Sequence, residues 1–286
     1  MLDLPHVFVS RCPVILLYFI KIFPSMNNTL YHVLKYSPWP FIFSISSVIL
    51  VVGLVSWIHC HTLGGYVSCV GLVLCVLTSF LWVRDFKRES LFLGWHSIVV
   101  KEGARKGYLL FFVFETIFFA TFIWSYFYLG LNPSVWCGGE WPGYSIQLVD
   151  PMGIPFFNTL ILLCSGASLS WAHNSVLVLN RKESLLGMVI TVVLAVIFCI
   201  CQMYEYRFSS ITLSDSVFGS IYFSTLSLHG SHLWAAIVFL GVNIFRGYAY
   251  EFTSNYCLAF ECCLIYYHIV DVIWLILFCF YYLWCC

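Results

Sequence analysis

Three ionisable residues stand inside an apolar stretch near the C-terminus: Glu261, His268 and Asp271, in a run that continues Ile269-Val270-Asp271-Val272-Ile273-Trp274. At about 100° per residue they fall within an arc of roughly 80° on one helix face. Glutamate, imidazole and aspartate in one stripe could relay protons, or could bond to neighbouring helices. Each ionised group at a membrane centre costs about 2.5 to 3.5 kcal/mol of insertion, so either use demands partners within a bundle.

Other candidates share that setting. Glu115 lies in Phe111-Phe112-Val113-Phe114-Glu115-Thr116-Ile117-Phe118, with no basic residue in its own apolar stretch. Counted from Tyr108 it is about 10 Å inside hydrocarbon. It reads either as a proton-handling carboxyl or as a protonated structural acid. His229-Gly230-Ser231-His232 has a spacing that could put two imidazoles on one metal. Metal sites in bundles generally add Glu-x-x-His pairs, which this chain lacks, so the run reads rather as a close-packing seam with Gly219 and Gly241. His173 and Glu205 come near the ends of their stretches, where water or headgroups are within reach, and read as structural. Trp82, Arg84, Arg88 and Glu89, with His96 just beyond, read either as an ordinary basic loop or as a phospholipid headgroup site.

The elements that position these residues are membrane spans. The 286 residues are 62% hydrophobic and 9% charged, with a mean hydropathy of +0.93, against about 25% charged in soluble domains. Net charge is zero, and no basic tail suggests nucleic acid. Seven stretches reach bilayer length: Phe41 to Ile58, Leu63 to Val83, Tyr108 to Leu131, Ile154 to Leu179, Leu185 to Tyr206, Val217 to Phe245 and Cys257 to Trp284. They lack the alternation of membrane β-strands. The fold class is therefore all-α and polytopic, with seven transmembrane helices. Of thirteen Lys and Arg residues only Arg207 falls on the second side, which predicts an N-terminus facing the matrix or cytoplasm and a C-terminus facing out.

Fourteen cysteines include no Cys-x-x-Cys, and most read as small apolar packing residues. Residues 1–30 read as a retained N-terminal extension, with 31–286 as the helical domain. The loop from Asn132 to Gly153 is a turn-rich cap without a base or ligand cluster.

Taken in order, these segments resemble subunit III of cytochrome c oxidase, of the haem-copper terminal oxidase family. The resemblance runs through Ser37-Pro38-Trp39-Pro40, Trp82-Val83-Arg84-Asp85, Phe114-Glu115, Asn158-Thr159, Trp171-Ala172-His173, Gln202 with Glu205-Tyr206, His229-Gly230 with His232, Phe252-Thr253-Ser254-Asn255, Phe260-Glu261 and His268 with Val270-Asp271-Val272. It implies two bundles, spans 1–2 and 3–7, with phospholipids in a V-shaped cleft. It also implies a subunit that binds no cofactor of its own. Haem a and copper sit in partner catalytic subunits, subunit I is the chief partner, and subunit II and accessory subunits complete the set.

The implied location is the mitochondrial inner membrane, with the N-terminus in the matrix and the C-terminus in the intermembrane space. Glu115 matches the family's intramembrane acid tied to proton uptake. Trp82, Arg84, Arg88, Glu89, His96 and Arg246 match lipid contacts, while His173, Glu205, His229, His232, Glu261, His268 and Asp271 are expected, from their setting, to be buried structural polar residues. Val83, Asn174 and Tyr256-Cys257 depart from the family pattern. A proton-coupled secondary transporter, with Glu261, His268 and Asp271 as its relay, is the rival reading; it would favour helices broken by Gly or Pro in symmetric halves, which are not evident.

Overall fold

Among the described residues, seven helices are each long and apolar enough to cross a bilayer, and no strand occurs. The computed structural model describes residues 36–94, 96–133, 135, 138–143, 146–252 and 257–284. The expected extension (residues 1–30), the stretch 253–256 and the Cys285/Cys286 pair lie outside them.

Helix α1 runs Trp39–Ile58 with Pro40 in its first turn, where a missing N–H costs nothing. Next come α2, Gly64–Lys87, extended by a π-helical turn over Arg88–Phe92, and α3, Ile98–Leu131. Helix α4 is Ile154–Leu177 and again begins on a proline, Pro155; α5 is Arg181–Phe208. Helix α6, Val217–Tyr248, is capped by Ser216, whose hydroxyl accepts from the Gly219 N–H at 3.2 Å. The last helix, α7, is Leu258–Leu277 and widens into a π-helical turn over Phe278–Leu283.

The hydropathy boundaries need one large correction. The third span was expected to begin at Tyr108, yet α3 begins at Ile98, and α2 with its wide turn continues to Phe92 where a soluble loop was expected. Lys101, Glu102, Arg105 and Lys106 depress hydropathy without breaking a helix, because Lys, Arg and Glu are good helix formers.

Three helices stop in the same way. Cys60, Leu179 and Tyr250 each take a left-handed conformation (φ near +60°) just past α1, α4 and α6. The next residue's N–H then reaches back to a carbonyl five positions earlier: His61 to Ser56, Asn180 to Ser175 and Glu251 to Arg246. A β-carbon in that region costs about 1 kcal/mol, and here it is accepted for satisfied helix-end carbonyls. Arg181 reinforces the end of α6, donating to Gly247 O (3.0 Å) and Tyr248 O (2.8 Å) while lying 3.7 Å from the Tyr250 ring centroid.

The chain divides into two compact units between Ala104 and Arg105. In the first, α1 and α2 pack backbone to backbone: a β-carbon on Gly53 would strike the Ser68 backbone, and one on Gly71 the Leu50 backbone. In the second, α7 is the centre. Trp274, Tyr267, Tyr281 and Tyr282 are buried among Tyr126, Phe119, Phe198 and Phe218. Their polar ends find partners: Trp274 Nε1 donates to Thr159 Oγ1 (3.1 Å), Tyr267 Oη meets Ser165 Oγ (2.9 Å) and Tyr281 Oη meets Thr225 Oγ1 (3.0 Å).

Candidate functional site

The carboxyl of Glu115 finds its partner on another helix. Halfway along α3, its Oε2 lies 2.6 Å from Nε2 of His232 on α6, and both side chains are largely covered (22% and 15% exposed). The other imidazole nitrogen, Nδ1, is 2.9 Å from Leu228 O. A carbonyl only accepts, so Nδ1 carries a hydrogen. The short Nε2···Oε2 contact then holds one further proton, either as carboxylic acid donating to imidazole or as imidazolium donating to carboxylate. Both forms are neutral overall, which makes the pair tolerable in hydrocarbon. Phe119 packs edge-on against the His232 ring, with centroids 5.0 Å apart.

His229 points elsewhere: its Nε2 is 3.3 Å from Val270 O on α7, and its ring lies between Phe198 and Trp274. The two histidines of the His-Gly-Ser-His run serve different helices, and no set of three or more metal-ligating side chains occurs among the described residues. The close-packing seam expected there is not formed among the described residues. β-carbons on Gly230 and Gly241 would meet nothing within 4 Å, and only Gly219 is confined, against Thr212 O.

The C-terminal stripe divides. Glu261, in the first turn of α7, accepts from Arg105 Nη2 (3.1 Å) and from Cys257 Sγ (3.3 Å). His268 Nε2 meets Ser170 Oγ at 3.2 Å, and its Nδ1 is 3.8 Å from Asp271 Oδ2, too long for a hydrogen bond. Gly166 gives this carboxylate its room, since a β-carbon there would lie 2.8 Å from Oδ2.

Glu205, expected as a buried structural polar residue, lies deeper than its place in the helix suggests. Placed near a helix end, it was expected to reach water or headgroups, yet it is 4% exposed. Tyr222 and Tyr282 both donate to its Oε1, at 2.9 and 2.6 Å. Aromatic residues of α6 and of the wide turn after α7 cover it, which its own helix position could not reveal. His173 packs its ring near Phe260, and its Nε2 is buried without a hydrogen-bond partner among the described residues.

In the first unit, the candidate lipid residues are organised by a residue outside that set. Asp85 Oδ1 takes Arg84 (Nη2 at 2.9 Å) and stands 4.0 Å from Arg88 Nη1, while its Oδ2 accepts from Trp39 Nε1 at 2.8 Å. Both guanidinium groups stay accessible. An acid placed one residue after one arginine and three before the next was the available signal. Trp82 packs edge-on to Phe43, and His96 to Phe86. Arg246 belongs to the second unit, where it donates to Glu251 Oε2 at 3.1 Å and is mostly covered.

Membrane-length helices, tied to one another by intramembrane acids, histidines and phenols, define a polytopic helical membrane protein. Its residues 29–286 match the family described as Cytochrome c oxidase subunit III. The protein named "Cytochrome c oxidase subunit 3" of Yarrowia lipolytica is 38% identical over 254 residues, covering 89% of this chain and 95% of that one. Those of Marchantia polymorpha and Heterololigo bleekeri are each 40% identical over 254 residues, covering 89% of this chain and 96% and 97% of theirs. The chain belongs to the cytochrome c oxidase subunit III family, and with it to the subunits of a terminal oxidase complex.

Proposed function

We propose that this chain is a non-redox core subunit of mitochondrial cytochrome c oxidase that braces the catalytic subunit, holds phospholipid and sustains proton uptake during turnover. On this reading electron transfer from cytochrome c to oxygen runs through haem a and copper in the partner subunits, subunit I chiefly and subunit II beside it. The twelve-to-one distribution of Lys and Arg supports an N-terminus in the matrix and a C-terminus in the intermembrane space.

The observation that carries the reading is the Glu115–His232 contact of 2.6 Å. The pair is neutral while it holds its shared proton. Such a pair can buffer the local supply without passing electrons. Glu115→Gln keeps the shape and removes the acid. Assembly is expected to stay normal while turnover decays several-fold faster, and an unchanged decay would remove the role.

Arg84 and Arg88, both drawn towards Asp85 Oδ1 and both still accessible, offer two guanidinium groups to a headgroup phosphate, and Trp82, Glu89 and His96 are the further members of the proposed site. Arg246, already engaged with Glu251, has less to offer. Arg88→Gln should remove roughly one bound phospholipid per complex, read by mass spectrometry of co-purified lipid; full retention would count against the site. The transporter reading has little support from the geometry. Glu261 is committed to Arg105, and His268 lies about 10 Å further along the helix.

A further inference from the structure

Four helices end around one patch of buried polar groups. Gln202, Glu205 and Tyr206 share a face of α5 at the i, i+3, i+4 spacing, one turn before that helix stops at Phe208. Asn158 comes from the first turns of α4, Tyr222 from those of α6, and Tyr282 from the wide turn after α7. Asn158, Gln202, Glu205, Tyr222 and Tyr282 are each at most 6% exposed.

Part of this patch is closed within the protein. Both tyrosines donate to Glu205 Oε1, and Asn158 Nδ2 donates to Gln202 Oε1 at 3.3 Å. Four atoms are left over. Glu205 Oε2, Gln202 Nε2, Asn158 Oδ1 and Tyr206 Oη are buried with no hydrogen-bond partner among the described residues. A native protein tolerates only a few such atoms in 100 residues, and each costs about 1 to 3 kcal/mol if nothing meets it. Gln202 stands close to both Glu205 and Tyr206, and Tyr206 close to Ser227 of α6, yet none of these approaches closes into a hydrogen bond; four such atoms in one patch call for a common partner.

The chemistry of that partner is constrained by the two amides. As placed, they leave one N–H donor (Gln202) and one carbonyl acceptor (Asn158). Exchanging oxygen and nitrogen in both side chains preserves the bond between them and again leaves one donor and one acceptor. The partner must therefore accept and donate at once. A bare cation accepts nothing from an N–H, and an anion donates nothing to a carbonyl. Water does both.

We propose that Asn158, Gln202, Glu205 and Tyr206 form a binding site for internal water at the end of the helical bundle. At about three hydrogen bonds per buried water, the four groups need roughly one or two molecules. The water accepts from the free amide N–H and donates to the free amide carbonyl. Glu205 Oε2 and the Tyr206 hydroxyl complete its shell. The site joins α4 to α5 and puts the Glu205 carboxyl in contact with exchangeable hydrogen, one turn from the end of its helix. It is separate from the Glu115–His232 pair and stands whether or not that pair handles protons.

The test uses the intact oxidase in lipid nanodiscs. In a cryo-electron microscopy map that resolves ordered water elsewhere inside the complex, density within hydrogen-bond reach of both Asn158 and Gln202 is expected. A bare patch at the same local quality overturns the site. In infrared spectra, the Glu205 carboxyl band, identified by its loss in Glu205→Gln, is expected to shift on transfer to D2O. A band that keeps its frequency after exchange equally overturns the proposal. The map needs no variant, so failure of Glu205→Gln to assemble leaves the question decidable.

Discussion

Helices α1 and α2 meet through the side chains they lack, whereas α4 to α7 meet through hydroxyls, phenols and an indole. At Gly53 and Gly71 the backbone of one helix fills the place where the other's β-carbon would be. Around α7, the contacts are Ser165 with Tyr267, Thr159 with Trp274 and Thr225 with Tyr281. Lipid tails are as apolar as leucine, so burial gives helices in a bilayer little reason to associate. Close van der Waals approach and interhelical hydrogen bonds are what remain, and each unit relies mainly on one of them. The first tolerates no added atoms; the second loses its ties one at a time.

The largest effect should fall on the glycine contact. Gly53→Leu drives a branched side chain into the Ser68 backbone, at a cost of about 3 kcal/mol, and should part α1 from α2. Ser47 Oγ and Cys75 Sγ are 3.9 Å apart across that contact, so Ser47→Cys supplies a reporter disulfide with Cys75. Its yield should collapse when Gly53→Leu is added, and a full yield would dissolve the distinction between the two units.

Removing one tie around α7 should matter less. Ser165→Ala is expected to lower stability by about 0.6 kcal/mol, and by no more than about 1.7, measured by detergent-induced unfolding. A loss as large as that of Gly53→Leu would mean that the second unit has no redundancy.

The smallest effect belongs to the turn before α6. The hydroxyl and backbone N–H of Thr212 hold the Asp215 carboxyl below the ordinary carboxylate range, the N–H at 2.6 Å. A depressed folded pKa means that this contribution is complete above the unfolded value of about 3.9 and vanishes as pH falls through the lower folded value. Asp215→Asn should therefore melt slightly earlier than the parent at neutral pH, and the two curves should converge in strong acid.

Much of the architecture was legible in the sequence because hydropathy reports the feature a bilayer selects. The seven spans agree with the seven helices, and six of them begin within about four residues of the expected position. The exception that matters, α3, begins in charged residues whose helical preference hydropathy does not register. Partnerships between helices were not legible. Glu115 was read without its base because His232 lies 117 positions away, and Glu205 was placed near water because nothing in its own helix foretells two tyrosines from elsewhere. The glycines were recognised as a packing device but in α6, where Gly230 and Gly241 face open space, rather than in α1 and α2. Small residues mark a capacity for close approach, and only the neighbouring helix decides where it is used.

The π-helical turn at Phe278–Leu283 carries a constraint on chain length. It brings two successive phenols, Tyr281 and Tyr282, inward together (2% and 1% exposed), one to Thr225 and the other to Glu205. A regular α-helix sets successive side chains about 100° apart and could not aim both at the same interior so readily. Deleting a single residue after Leu277 would let the segment relax into ordinary helical winding and swing both rings off their partners. Removing one residue from within this turn is thus a graver edit than altering most side chains along it.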